Sequence, residues 1–61
     1  MTKQQIKQVA MIQVYLDNGM ADTAARSLSG LIRAALRAND QAELYDIAQS
    51  YKLDRHPEFR I

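Results

Sequence analysis

The residues best suited to binding chemistry are arginines on one predicted helix. The segment 21–37 repeats its apolar residues at helical spacing, which predicts an α-helix with one buried face. Three arginines fall on the opposite face, at intervals of seven and four residues: Arg26, Arg33 and Arg37. Guanidinium groups in one line can bind phosphate or carboxylate groups through paired hydrogen bonds. The simpler interpretation is a solvated helix face that binds nothing.

The sequence contains no recognisable catalytic set. Cysteine is absent and His56 is the single histidine, so neither a thiolate site nor a set of histidine ligands can form. Asp54 and His56 stand two residues apart before Pro57, a pattern that favours an exposed pair over a general base. No glycine-rich phosphate loop or metal-binding helix motif occurs. We therefore expect a protein that is not an enzyme and uses no cofactor or metal.

The small size of the chain limits what it can bury. A domain of 61 residues buries about 60% of the surface that its unfolded chain exposes, and its stability is correspondingly marginal. The absence of cysteine fits a reducing compartment. There is no leader-like segment and no run of about 18 apolar residues of the kind that spans a bilayer. We expect a cytoplasmic protein that does not enter a membrane.

The apolar periods divide the sequence into three helical segments. The predicted helices cover residues 2–17, 21–37 and about 41–52. Asn18-Gly19 and Asn39-Asp40 interrupt the periods, and Asn or Gly commonly ends a helix in the left-handed conformation. The first connection is short, so the first two helices should fold back on each other.

These elements define the predicted architecture. The fold class is all-α, an antiparallel helical hairpin plus a third short helix and an irregular C-terminal tail. Residues 1–53 form the single helical domain, and residues 54–61 form the C-terminal tail, in which Pro57 disfavours a helix. Phe59 is the tail residue that could fold back onto the hairpin.

Local signals also predict the helix ends and the buried face. Thr2 can cap the first helix, Met20 offers the second helix no capping oxygen, and Asp40 followed by Glu43 has the spacing of a capping box for the third. The second helix is predicted to bury one arc of residues: Ala21, Ala24, Ala25, Leu28, Leu31, Ile32, Ala35 and Leu36.

The first helix is more apolar than one neighbour can cover. Ile6, Val9, Ile12 and Leu16 form its predicted core stripe, yet other apolar residues lie outside that stripe. The second helix adds a line of small residues that would let another backbone come close. We predict a homodimer, with a self-association or partner surface made of these two groups: Met11, Val14, Tyr15, Thr23, Ser27, Gly30 and Ala34.

The charge distribution leaves two classes of partner open. Residues 1–38 carry five basic and two acidic side chains, a net of +3, whereas residues 39–51 carry three acidic side chains, a net of −3. The overall charge is only +1, which is low for a committed nucleic-acid-binding protein. We rank a protein partner first and nucleic acid second. The candidate contacts with nucleic acid or an acidic partner are Lys3, Lys7, Arg26, Arg33 and Arg37.

The whole chain resembles the small early-region (exo-xis) proteins of lambdoid phages. The resemblance runs from the opening Met1-Thr2-Lys3-Gln4-Gln5 to the ending His56-Pro57-Glu58-Phe59-Arg60-Ile61. It implies a phage-type accessory regulator that modulates host or phage processes, acts in the host cytoplasm and is not an enzyme.

Overall fold

Three α-helices form the protein. A computed structural model describes residues 1–61. It contains α1 (Lys3–Asp17), α2 (Ala21–Ala34) and α3 (Ala38–Ser50), and no β-strand. The all-α prediction is thereby confirmed: α1 and α2 form the antiparallel hairpin, α3 follows as a shorter helix, and the C-terminal tail is irregular. None of the three helices has the length and apolar character needed to cross a membrane.

Local capping explains both ends of α1. The Thr2 hydroxyl accepts the Gln5 amide proton at 3.1 Å, and the Gln5 side-chain oxygen accepts the Thr2 amide proton at 2.8 Å. This is a complete capping box. At the other end Gly19 has φ 72°, and the amides of Gly19 and Met20 donate to the carbonyls of Leu16 and Tyr15. The predicted break at Gly19 is therefore a Schellman motif.

Helix α2 is the centre of the fold. It packs against both α1 and α3, whereas α1 and α3 do not pack against each other. The core contains nine buried apolar residues: Ile12, Ala24, Ala25, Leu28, Ile32, Ala35, Leu44, Ala48 and Leu53. Most of them lie on α2 or close to its ends. A central helix buried on two sides explains why its predicted core face was the clearest in the sequence.

The predicted extension of α2 to residue 37 is wrong. The helix ends at Ala34, and Ala35 turns into an extended conformation with ψ 129°. Ala35 stays buried, but Leu36, which was predicted in the core, is 100% exposed. The side-chain amide of Gln41 donates to the carbonyls of Ile32 and Ala35, at 3.4 and 3.2 Å. The chain can leave the helix here because the Gln41 amide donates to carbonyls that would accept backbone amide protons if α2 were longer.

The predicted start of α3 is also wrong. The helix begins at Ala38, three residues before the predicted position, and its N-cap residue, Arg37, makes no side-chain capping bond. Asp40 is therefore inside the first turn and does not form a capping box with Glu43. It is only 6% exposed and lies 3.3 Å from the Met1 amino group. Ion pairing at the positive end of the helix replaces the predicted cap.

Helix α3 ends in a second Schellman motif. Lys52 has φ 60° and is the only residue other than glycine with a positive φ. The amides of Lys52 and Leu53 donate to the carbonyls of Gln49 and Ala48 at 3.0 and 2.8 Å. Leu53 and Ala48 are both buried, as the apolar contact of this motif requires. The sequence did not predict this turn because lysine is not a usual residue for it.

Helix α1 has only one covered side. Of its predicted core stripe, Ile12 is fully buried, Val9 and Leu16 are partly buried, and Ile6 is 54% exposed. The reason is that α3 packs on α2 and leaves α1 with one neighbour. Met11 and Val14 are each 46% exposed. The surplus of apolar surface predicted for α1 is thus present in the folded chain.

Candidate interaction surfaces

A groove runs along the surface between α1 and α2. We call it the α1–α2 groove; it encloses about 340 Å³, and seven residues line it: Gln8, Met11, Tyr15, Ser27, Gly30, Leu31 and Ala34. Helical spacing places these residues here, since 8, 11 and 15 follow one side of α1 and 27, 30, 31 and 34 follow one side of α2. None of the seven carries a formal charge. The groove is suited to an uncharged, partly apolar contact.

The structure brings together most of the residues predicted for self-association. Met11 and Tyr15 from α1 and three small residues from α2, Ser27, Gly30 and Ala34, share the α1–α2 groove. Val14 and Thr23 do not line it. Val14 lies further round α1 and is exposed, while Thr23 is half-buried near the start of α2.

Gly30 leaves open space in the side of this groove. A Cβ atom built on Gly30 would have a single neighbour within 4 Å, the Arg33 Nη2 atom at 4.0 Å. No contact inside this chain therefore requires glycine at position 30. Glycine within a helix costs about 1 kcal/mol relative to alanine.

A second depression adjoins the α1–α2 groove at Ala34. We call it the Leu36 depression; it is lined by Met1, Thr2, Gln5, Ala34, Leu36, Arg37 and Asp40. Because Ala34 belongs to both, the two depressions adjoin, and the second adds the charged residues Arg37 and Asp40 beside Leu36. The end of α2 at Ala34 creates this arrangement, since it turns Leu36 away from the core.

The predicted line of three arginines is not formed. Arg26 and Arg33 lie on α2, but Arg37 belongs to the turn before α3. The Arg26 Nε atom is 3.6 Å from the Glu58 carboxylate, and Arg33 Nη1 donates to the main-chain carbonyl of Arg60 at 2.8 Å. Two of the three arginines therefore contact the C-terminal tail.

The tail crosses the polar side of α2. His56 Nε2 is 3.0 Å from the Asp22 carboxylate, and His56 Nδ1 accepts the Glu58 amide proton at 3.1 Å. Because Nδ1 accepts a hydrogen bond, the single N–H of a neutral imidazole lies on Nε2, the nitrogen that faces Asp22. His56 thus pairs with Asp22 and not with Asp54, its neighbour in the sequence.

Two further features lie on this side of the molecule. Ser29 lies on one helical line with Asp22, Arg26 and Arg33, at intervals of four, three and four residues, and is only 1% exposed. Its hydroxyl donates to the Arg26 carbonyl at 3.0 Å. The Phe59 ring packs edge-on to Tyr45 of α3, with centroids 6.0 Å apart. The fold-back of Phe59 therefore occurs, and the tail lies over α2 beside α3.

The other predicted basic residues remain unpaired. Lys3, Lys7 and Arg37 are exposed and form no ion pair. Arg37 and Thr2 line the same depression, the Leu36 depression, so Arg37 lies near the start of α1. No three His, Asp or Glu side chains come together as metal ligands would.

No protein-family model, curated protein or solved structure matches this chain. Sequence reasoning missed the Gln41 contacts to α2, the burial of Ser29 and the pairing of His56 with Asp22. One signal was available: Asp22, Arg26, Ser29 and Arg33 share a helical line with one acidic and two basic side chains, a pattern that a tail carrying both signs of charge can complement.

Proposed function

We propose that this protein is a non-enzymatic interaction protein that forms a homodimer and, as a dimer, binds a protein partner. One observation carries the proposal: the α1–α2 groove is uncharged and open, and it adjoins the depression that contains the exposed Leu36. Exposed large apolar side chains close together, here Met11 and Leu36, are typical of an interaction site.

A second copy suits this groove better than a charged ligand does. A two-fold axis places the same surface on both subunits, and an uncharged lining opposes no like charges. Small side chains at Ser27, Gly30 and Ala34 would let the two α2 backbones approach closely. Met11 and Tyr15 of each copy would then fill the open space of the other.

A stable dimer needs more area than either depression offers. A stable interface buries at least about 600 Å² on each partner, and the folded chain exposes 4229 Å² in total. The α1–α2 groove and the Leu36 depression must both contribute, because either alone is small. This places Leu36, whose side chain has no contact in the monomer, at the edge of the proposed interface.

Sedimentation of Gly30→Leu tests the dimer. We expect wild type to sediment as a dimer at hundreds of micromolar and Gly30→Leu as a monomer, because leucine would fill the space that the second copy needs. Gly30→Ala adds one methyl group at the same position and should weaken the dimer less than Gly30→Leu. A wild-type monomer at these concentrations, or an unchanged dimer of Gly30→Leu, would refute this interface.

The charge distribution and the resemblance both favour a protein partner over nucleic acid. The resemblance to exo-xis proteins supports an accessory regulator that modulates host or phage processes in the host cytoplasm. Nucleic acid remains the alternative, and the unpaired Lys3, Lys7 and Arg37 favour it. Against it, Arg26 is paired with Glu58 and Arg33 with the tail backbone. Few free cations support only weak, salt-dependent binding to phosphates.

Capture from host lysate with and without nuclease separates the two classes. A partner retained after nuclease treatment supports the protein-binding function. Two results together would instead establish the nucleic-acid alternative. Every captured component would be lost on nuclease treatment, and the same components would be lost without nuclease in the variant Lys3→Ala/Lys7→Ala/Arg37→Ala.

A further inference from the structure

The C-terminal tail occupies a site on α2 and α3 that has the features of a peptide-binding site. Three successive residues of the tail make different contacts there. Glu58 offers a carboxylate to Arg26 at 3.6 Å, Phe59 places its ring against Tyr45, and Arg60 offers its main-chain carbonyl to Arg33 at 2.8 Å. The site therefore contacts a carboxylate, an aromatic ring and a peptide carbonyl in that order.

The contacts that hold the tail are only partly buried. On α2 the side chains of Arg26 and Asp22 are 62% and 73% exposed, whereas their tail partners Glu58 and His56 are 31% and 22% exposed. Phe59 is half-buried against the core. Ion pairs with an exposed partner add little to stability. Attachment to α3 also gives the tail a high effective concentration at the site. A segment with the same three features could therefore take its place.

We propose that this site binds an extended segment of a partner protein in which a carboxylate residue directly precedes an aromatic residue, and that the tail is a built-in competitor. Arg26 would bind the partner's carboxylate, and Tyr45 would pack on its ring. Arg33 would bind a main-chain carbonyl and so accept any side chain at the third position. The proposal does not require the dimer. Arg26 and Tyr45 do not line the α1–α2 groove, although Arg33 Nη2 lies 4.0 Å from the Cβ position of Gly30 in the side of that groove.

A peptide fits this site better than a nucleic acid. The Asp22 carboxylate lies on the same helical line as Arg26 and Arg33 and would repel phosphates. In the tail, His56 donates to that carboxylate at 3.0 Å, so a peptide with a donor at the matching position satisfies it. The chain itself shows that a peptide backbone fits.

Binding of the isolated tail sequence to the full-length protein tests this proposal. The probe is a fluorescein-labelled peptide of residues 54–61 with both ends blocked, and binding is followed by anisotropy. Phe59→Ala in the protein weakens its own tail but leaves Arg26, Arg33 and Tyr45 in place. If the tail covers the site at least nine-tenths of the time, opening it should lower the apparent Kd for the peptide about tenfold or more.

Controls identify the contacts. A peptide carrying Glu58→Gln and Phe59→Ala should not bind. Arg26→Ala added to the Phe59→Ala protein should raise the Kd for the unmodified peptide by about two- to fivefold. If Phe59→Ala lowers helix content by circular dichroism, Glu58→Gln replaces it as the variant that weakens the tail. Amide shifts at Ser29 and Arg33 should change on binding.

The proposal fails if the peptide binds neither protein, binds both equally, or binds after loss of its carboxylate and ring. It also fails if a single-stranded oligonucleotide, and not the peptide, binds the opened protein. Sedimentation of Phe59→Ala tests the proposed dimer separately from peptide binding. The substitution lies outside the α1–α2 groove, so the variant should still dimerise.

Discussion

Arg33 on α2 donates from Nη1 to the main-chain carbonyl of Arg60, 27 residues later, at 2.8 Å. This bond joins the central helix to the C-terminal tail. It also removes one arginine from the line that the sequence predicted for ligand binding. The bond therefore bears on partner binding. The tail covers the side of α2 that could bind an acidic or phosphate group.

Arg33→Ala should loosen the end of the tail. We expect faster amide hydrogen exchange at Phe59 and a loss of about 0.5–1.5 kcal/mol in the free energy of unfolding, since one hydrogen bond is removed. Arg55→Ala is the matched control, because the Arg55 side chain is exposed on the same tail and forms no hydrogen bond or ion pair. Equal effects of the two substitutions would show that the Arg33 bond does not hold the tail.

Lys52→Gly should stabilise the protein. Lys52 has φ 60° at the end of α3, a conformation that costs a residue with a side chain about 1–2 kcal/mol and glycine almost nothing. Because glycine also gains more freedom in the unfolded chain, we expect a net increase of about 0.5–1 kcal/mol in the free energy of unfolding by chemical denaturation. Gly19→Ala, in the equivalent turn after α1, should lower it by a similar amount. A loss of stability in Lys52→Gly would contradict the proposed cost of this turn.

Gln41→Ala should weaken the junction between α2 and α3. Its amide is the side-chain donor to the carbonyls of Ile32 and Ala35. Its loss leaves the Ala35 carbonyl to water, whereas the Ile32 carbonyl keeps the Ala35 backbone amide at 3.3 Å. We expect a decrease of about 1 kcal/mol in the free energy of unfolding. Gln49→Ala, also on α3 but without a side-chain hydrogen bond, should be close to neutral. Equal stability of both variants would exclude a structural role for the Gln41 amide.

Gly30→Ala should separate folding from association. Alanine has room at this position and is favoured in a helix by about 1 kcal/mol, so we expect a higher free energy of unfolding at low concentration, where the monomer dominates. If two α2 backbones meet at Gly30, the same methyl group should raise the dimer dissociation constant. Thermal melts over a range of concentrations measure both effects. A dissociation constant that stays the same would place the dimer contact elsewhere.

The sequence alone determined the parts of the structure that depend on neighbouring residues. Helical periodicity predicted three helices, and Thr2 and Gly19 marked the ends of α1 correctly, because a cap or a left-handed turn involves residues only a few positions apart. It also predicted surplus apolar surface on α1, since the number of apolar residues exceeded what one neighbour can bury. Five of the residues predicted for self-association share the α1–α2 groove for the same reason of helical spacing.

Tertiary contacts decided the rest. Periodicity continued α2 to residue 37, but the helix stops at Ala34 because the chain must turn for α3 to pack on α2, and Gln41 then satisfies the free carbonyls. Asp40 had the sequence signal of a cap, yet the nearby Met1 amino group favours a buried position inside the first turn. The arginine side of α2 looked like open surface until the tail folded across it. Each of these outcomes depends on residues distant in the sequence, whose approach only the packed chain determines.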